Sequence, residues 1–191
     1  MHRKIILAST SPRRRQLMRH LGLPFAAVAS NYREVHHKHL SPAELVRFLA
    51  EGKARAAAGR YRDAIIIGAD TVIVHGGKIY GKPKNRLDAK RMLKSLSGKT
   101  HRVVTGVVLI DTKSNKILKS VVITKVTLFE LNSRGVKNYL DDAHYLDKAA
   151  AYAAQEQGAG LIKKIQGDFT NVVGLPLERL KIMLKKFKVR I

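Results

Sequence analysis

The chain has 191 residues, 45% of them hydrophobic and 27% charged, a balance that excludes a wholly disordered or fibrous protein and allows a real core. It has no cysteine, which removes disulfides, thiolate nucleophiles and cysteine-ligated zinc or iron–sulfur centres. Lys and Arg number 37 against 14 Asp and Glu, a formal net charge of +23, and such a field attracts polyanions such as nucleotides, nucleic acids and acidic membrane surfaces.

Arg3 to Ala8 predicts a buried strand, and its apolar centre, Ile5 to Ala8, is too short for a secretory leader. Ser11 then caps a helix with Pro12 at its first position, where a missing N–H costs nothing; Leu17, Met18 and Leu21 form its apolar stripe and Gly22 ends it. His36, His37 and His39 fall in a polar stretch without a zinc spacing and predict an exposed loop. Ser41-Pro42-Ala43-Glu44 spells a capping box for a second helix that closes at Gly59. Ile65 to Val74 predicts a central strand, and the apolar run from Ala64 to Ala69 within this region is far too short to cross a membrane. A His75-Gly76-Gly77-Lys78 turn and a short partner strand follow, then a helix from Arg86 to Leu96 ending at Gly98. Arg102 to Asp111 and Ile117 to Glu130 alternate in polarity and pair as a hairpin across Thr112 to Lys116. Next come a helix near Arg134 to Leu140, an alanine-rich segment near Lys148 to Gln155, a strand near Leu161 to Ile165 and a turn at Gly167. The last helix turns Leu177, Leu180, Met183, Leu184 and Phe187 inward, which makes Arg179, Lys181, Lys185, Lys186, Lys188 and Arg190 a solvated face. The alternation predicts a three-layer α/β architecture with a mixed sheet, and the shortness of the apolar runs from Ile5 to Ala8 and from Ala64 to Ala69 predicts a cytoplasmic protein.

Three places carry chemistry. In Ser9-Thr10-Ser11-Pro12-Arg13-Arg14 a strand end runs into a helix N-terminus, whose free N–H groups and dipole favour an anion, and arginines and hydroxyls add donors for phosphate oxygens. The alternative is a plain helix start, but arginine at that end opposes the dipole, so a bound anion accounts for the pair better than stability does. In Gly68-Ala69-Asp70-Thr71 a carboxylate follows a buried apolar run and must meet a partner. That partner is a magnesium ion, which prefers one or two carboxylates with waters and phosphates, or else one of the many lysines or a helix cap. Gly81-Lys82-Pro83 presents a lysine on a tight turn, suited to phosphate and equally to a surface turn.

Together with Leu96-Ser97-Gly98-Lys99-Thr100-His101, Asp147-Lys148-Ala149 and Asn171-Val172-Val173-Gly174-Leu175-Pro176-Leu177, these motifs resemble the Maf family in order and spacing over almost the whole chain. The resemblance implies one Maf-like domain over residues 1–191, an elongated α/β fold with two lobes flanking a cleft, and divalent-metal-dependent hydrolysis of nucleoside triphosphates to the monophosphate and pyrophosphate. It implies that Asp70 is the catalytic carboxylate and a ligand of Mg2+ or Mn2+, shared with Glu34. It implies that Ser9, Ser11, Arg14, Lys53 and Lys82 hold the phosphates. Arg13, Thr71 and Gln155 match the branch that prefers dTTP and UTP, and a glutamine amide suits the adjacent carbonyl and N–H groups of such a base. A homodimer is compatible with the resemblance.

Two departures bear on the base. The family's usual Lys-Ala-Gly-Ala-Tyr-Gly-Ile-Gln stands here as Lys148-Ala149-Ala150-Ala151-Tyr152-Ala153-Ala154-Gln155, so alanine replaces glycine twice, which alters the pocket if either position needs a positive φ. Asp141-Asp142-Ala143-His144 replaces a common Ser-Gly-Glu stretch. The charge leaves a second reading open, a basic nucleic-acid-binding protein on a Maf-like scaffold with little catalysis. Its few aromatics, 6% with no tryptophan, offer little for base stacking.

Overall fold

In the computed structural model, which describes residues 3–33, 39–142, 145–155 and 160–190, the first strand, β1 (Lys4–Leu7), is apolar on both faces because Ile5, Ile6 and Leu7 are all buried. It pairs in parallel with β3 (Ala64–His75), Leu7 opposite Ile67, and on its other side with the two-residue β2 (Ala26–Ala27). With β5 (Thr100–Asp111), β6 (Ile117–Leu128) and β7 (Ile162–Gln166) the sheet order is β2-β1-β3-β5-β6-β7, and β4 (Lys78–Tyr80) pairs with β3. β4 and β7 are antiparallel to their neighbours, so the sheet is mixed, as the sequence predicts. Gly76 and Gly77 at φ 54° and 75° are the two left-handed residues that a two-residue hairpin turn requires between β3 and β4.

The helices begin where the capping residues stand. Ser11 caps α1 (Pro12–Arg19) and Ser41 caps α2 (Pro42–Ala58), where the Ser41 N–H donates to Glu44 Oε2 at 2.9 Å and the Glu44 N–H to Ser41 Oγ at 3.3 Å. Asn85 caps α3 (Arg86–Leu96) by accepting from the Asp88 N–H at 2.9 Å. α4 (Ser133–Asp142), α5 (Phe169–Val173) and α6 (Leu177–Lys185) follow. Gly59 ends α2 at φ −58°, right-handed, so it stops the helix without using glycine's freedom. α6 is the amphipathic helix expected, with Leu177, Leu180, Met183 and Leu184 buried and Arg179, Lys185 and Lys186 exposed. No helix of the described residues is long and apolar enough to cross a membrane.

The chain forms two compact units, one of residues 1–70, 105–122 and 174–191, the other of residues 71–104 and 123–173. In the first, Ile6, Ala8, Ala64, Ile66, Val108 and Ile110 pack with Ala50, Ala54 and Ala57 of α2. In the second, Leu93, Leu96, Val103, Val126, Leu128, Tyr139, Leu140 and Tyr152 share a core.

The small face of α2 has a purpose that shows only in three dimensions. A Cβ on Gly68 would stand 2.2 Å from the Ala50 carbonyl oxygen, and one on Gly106 2.4 Å from that of Val46. The helix backbone therefore rests directly on β3 and β5, at a separation only glycine permits. Gly68→Ala is expected to lift α2 and to destabilise the protein by about 2 kcal/mol, an overpacking cost. Denaturant unfolding of the variant beside the parent measures it.

Candidate active site

That close approach sets the first pair of site residues. Ile65, Ile66 and Ile67 are fully buried in β3, and Asp70, three residues on, is only 8% exposed. Lys53 lies one turn beyond Ala50, the residue that meets Gly68, and its Nζ reaches Asp70 Oδ1 at 2.5 Å. Their side chains are 14% and 12% exposed, so this is a shielded ion pair whose members each depend on the other. The partner demanded by Asp70 is thus a lysine, one of the two that the resemblance implies for phosphate. Beside it, a Cβ on Gly52 would lie 2.3 Å from Tyr32 Cζ, so the tyrosine ring is pressed against the helix backbone next to Lys53. Sequence reasoning overlooked Gly52, although a glycine inside a helix costs about 1 kcal/mol against alanine and calls for a reason.

The Ser9–Arg14 loop leaves β1 on the strand next to Asp70's own. The Ala8 N–H donates to the Ile67 carbonyl at 2.8 Å, so the loop starts level with Gly68 on β3. Ser9, itself buried, accepts the Ser11 N–H on Oγ at 3.2 Å, and Ser11 Oγ accepts the Arg14 N–H at 3.5 Å. Both hydroxyls brace the loop as acceptors, which leaves each O–H proton to donate to an incoming oxygen. Arg14 Nε donates to the Gly174 carbonyl at 2.8 Å, fixing the guanidinium at the helix start, and Arg13 is half-buried on the same turn.

Thr71, Lys82 and Gln155 belong to the second unit. Thr71 follows Asp70 in β3 and is half-buried, Lys82 is exposed beside the buried Pro83, and Gln155 is half-buried. The Gly81 carbonyl accepts the Ala150 N–H at 2.9 Å, which ties the Lys82 turn to the alanine-rich segment. That segment holds a short 3-10 turn, Ala149–Ala151, in which Ala150 and Ala151 stand at φ 54° and 65°. Of the two positions where the family carries glycine, 150 is left-handed and 153 is not, so the first substitution strains the backbone and the second does not. Accordingly Ala150→Gly is expected to be the more favourable of Ala150→Gly and Ala153→Gly by about 1 kcal/mol. Paired melting curves decide it. Tyr152, next in the segment, places its hydroxyl 2.5 Å from His101 Nε2 of β5.

Glu34, His36 and His37 lie outside the described residues, and His39 is exposed. Among the described residues no three His, Cys, Asp or Glu side chains gather around a point. Asp70 offers one carboxylate, with Oδ1 engaged by Lys53. Such a donor set fits a magnesium or manganese ion whose shell is completed by water and phosphate oxygens, and it does not fit one caged by protein alone.

A family model described as Maf-like protein matches residues 4–187. The chain belongs to the Maf family. It is 46% identical over 195 residues to the dTTP/UTP pyrophosphatase of Acetivibrio thermocellus, with 98% of this chain and 97% of that protein covered. The dTTP/UTP pyrophosphatases of Dictyoglomus thermophilum and Bacillus anthracis are 44% and 43% identical, each covering 97% of its own length. Among solved structures the Ham1 protein of Staphylococcus aureus superposes with a TM-score of 0.51 at 16% identity, over 96% of this Maf chain and 98% of the other. At that identity the likeness concerns the α/β fold alone.

Proposed function

We propose that this Maf chain hydrolyses dTTP and UTP, and modified pyrimidine triphosphates of the same shape, at the α–β phosphoanhydride bond. Water adds to phosphorus, pyrophosphate leaves, and the nucleoside monophosphate remains. The observation that carries the reading is the shielded Lys53–Asp70 pair, whose Asp70 lies on the strand beside the one that feeds the Ser9–Arg14 loop, in a chain whose relatives over nearly its full length are dTTP/UTP pyrophosphatases.

Each residue has a task in this reading. Arg14, Lys53 and Lys82 meet the negative charge of the triphosphate, and Ser9 and Ser11 donate their hydroxyl protons to its oxygens. As phosphate oxygens draw the Lys53 ammonium, Asp70 Oδ1 is released to orient the attacking water and accept its proton. Asp70 and Glu34 would hold a magnesium or manganese ion together with the substrate phosphates, and that ion supplies charge neutralisation and a more acidic water. Arg13, Thr71 and Gln155 read the base, the glutamine amide offering a donor and an acceptor to the uracil-type edge.

The test is pyrophosphate release from dTTP, UTP, CTP, ATP, GTP and 7-methyl-GTP, with and without magnesium or manganese. Cation-dependent release favouring dTTP and UTP is the expected result. No release from any of them overturns it. The exposed cations Arg179, Lys185, Lys186, Lys188 and Arg190 would then be read by salt-dependent RNA binding and its loss on neutralising Lys185, Lys186 and Lys188.

A further inference from the structure

The segment that carries Gln155 is poorly held by its own backbone. Residues 149–151 form a 3-10 turn and Tyr152 to Gln155 join neither helix nor strand. Two left-handed alanines inside it are strained, a conformation that persists only where the surroundings impose it. Its hydrogen bonds fall into two kinds. The Lys148 N–H to the Tyr145 carbonyl and the Ala151 N–H to the Lys148 carbonyl, both 3.1 Å, are local and would survive if the whole turn slid. The Ala150 N–H to Gly81 and the Tyr152 hydroxyl to His101 reach other elements.

The second of these sits in an apolar core. His101 and Tyr152 are 2% and 4% exposed, and their rings meet edge to face with centroids 5.5 Å apart. Tyr152 belongs to the core that holds Leu93, Leu96, Val103, Val126 and Leu128, side chains that tolerate small shifts. A directional bond between two buried polar atoms tolerates far less, so it selects one placement of the segment among several of similar packing.

We propose that His101 is a positioning residue for the base-reading part of the site: through Tyr152 it holds the Ala149–Gln155 segment, and through the Ala150–Gly81 bond the Lys82 turn, where both meet the nucleotide. The inference rests on the reading that Gln155 contacts the base and Lys82 the phosphates. Gln155 is three residues from Tyr152, so a slip at the anchor is passed along a short tether to the amide. On the other side Ala150 is two residues away, and its N–H carries the same slip to Gly81 and Lys82.

Tyr152→Phe removes one oxygen and keeps the ring, and His101→Leu removes the partner. Both are assayed for kcat and KM with dTTP and dCTP and for inhibition by inorganic pyrophosphate, with melting curves to verify folding. The expected result is a KM for dTTP and a pyrophosphate inhibition constant each raised about 10-fold, selectivity for dTTP over dCTP lowered by a similar factor, and kcat changed less than about 3-fold. His101→Gln, whose amide can reach the same hydroxyl, is expected to recover most of the loss, and it takes the place of His101→Leu if that variant does not fold. Gln155→Ala runs alongside: if it keeps full selectivity, the base-contact reading fails whatever His101 does. If Gln155→Ala loses selectivity while folded Tyr152→Phe keeps the parent KM and selectivity, the positioning role of His101 is overturned.

Discussion

Asp70→Asn is expected to lower turnover of dTTP by about 10³-fold or more while the protein stays folded, the loss falling on kcat and not on KM. The substitution is nearly isosteric, and the amide oxygen can still accept from Lys53 Nζ, which stands 2.5 Å from Oδ1. What disappears is the negative charge and the ability to take a proton from water. The Lys53 ammonium, 14% exposed in the pair, loses the Asp70 charge beside it, which costs about 1–3 kcal/mol of stability and should show as a lower melting temperature. In the proposed reading the same ammonium turns to the phosphates when nucleotide binds, so affinity is expected to hold or improve. Pyrophosphate release at saturating dTTP, with circular dichroism on the same sample, measures both sides. A variant that keeps more than about a tenth of the parent rate would remove Asp70 from the chemistry.

Acid should weaken the fold from near neutrality downwards, by about 3 kcal/mol at pH 4, because of His101. Burial holds its imidazole down from the ordinary value of 6.5 to about 4; the neighbouring charge of His75 adds to this and the Lys99 carbonyl opposes it. The unfolded chain takes up the proton near pH 6.5 and the folded chain does not. Stability present above pH 6.5 is therefore lost as pH falls towards 4, at up to about 1.4 kcal/mol per pH unit. Burial also keeps the facing Tyr152 hydroxyl protonated well beyond its usual range, so it does not titrate in this window. The Arg3 guanidinium, hydrogen-bonded to Asp111 with Nη1 to Oδ2 at 2.8 Å, holds that carboxylate below the usual range. Its contribution is lost only at lower pH still. Urea unfolding of the parent and His101→Leu from pH 7 to 4 separates the two groups. The slope above pH 4 should flatten in the variant, and equal slopes would show that another group is responsible.

What could be read from the chain depended on how locally each feature is encoded. The capping box at Ser41, the helix from Arg86 to Leu96 and the Gly76-Gly77 turn were legible because a few adjacent residues decide each of them; the Asn85 cap of that helix was overlooked. β2 was not, since two alanines carry no pattern, nor was α5, a single turn. In the site, Ser9, Ser11 and Arg14 stood out as a helix start that also suits an anion, and their mutual hydrogen bonds bear out the local geometry. The Lys53–Asp70 pair joins a helix to a strand, and nothing in the spacing of those residues announces it. Gly52, Gly68 and Gly106 were equally silent, because what each glycine accommodates lies on a different part of the chain. The reason a glycine belongs at 150 became visible only with the left-handed backbone there.

The first unit is assembled from residues 1–70, 105–122 and 174–191, and the Gly174 carbonyl that fixes Arg14 comes at the start of the last of these. A growing chain on the ribosome, emerging at about 5–20 residues per second, displays Ser9, Arg14, Lys53 and Asp70 many seconds before residue 174 is made. Arg14 therefore waits for its Gly174 contact until that residue is made, and α6 can cover its apolar face only after that. Nascent chains are thus expected to be both inactive and dependent on late, long-range closure, the kind of topology that folds slowly and exposes apolar surface meanwhile.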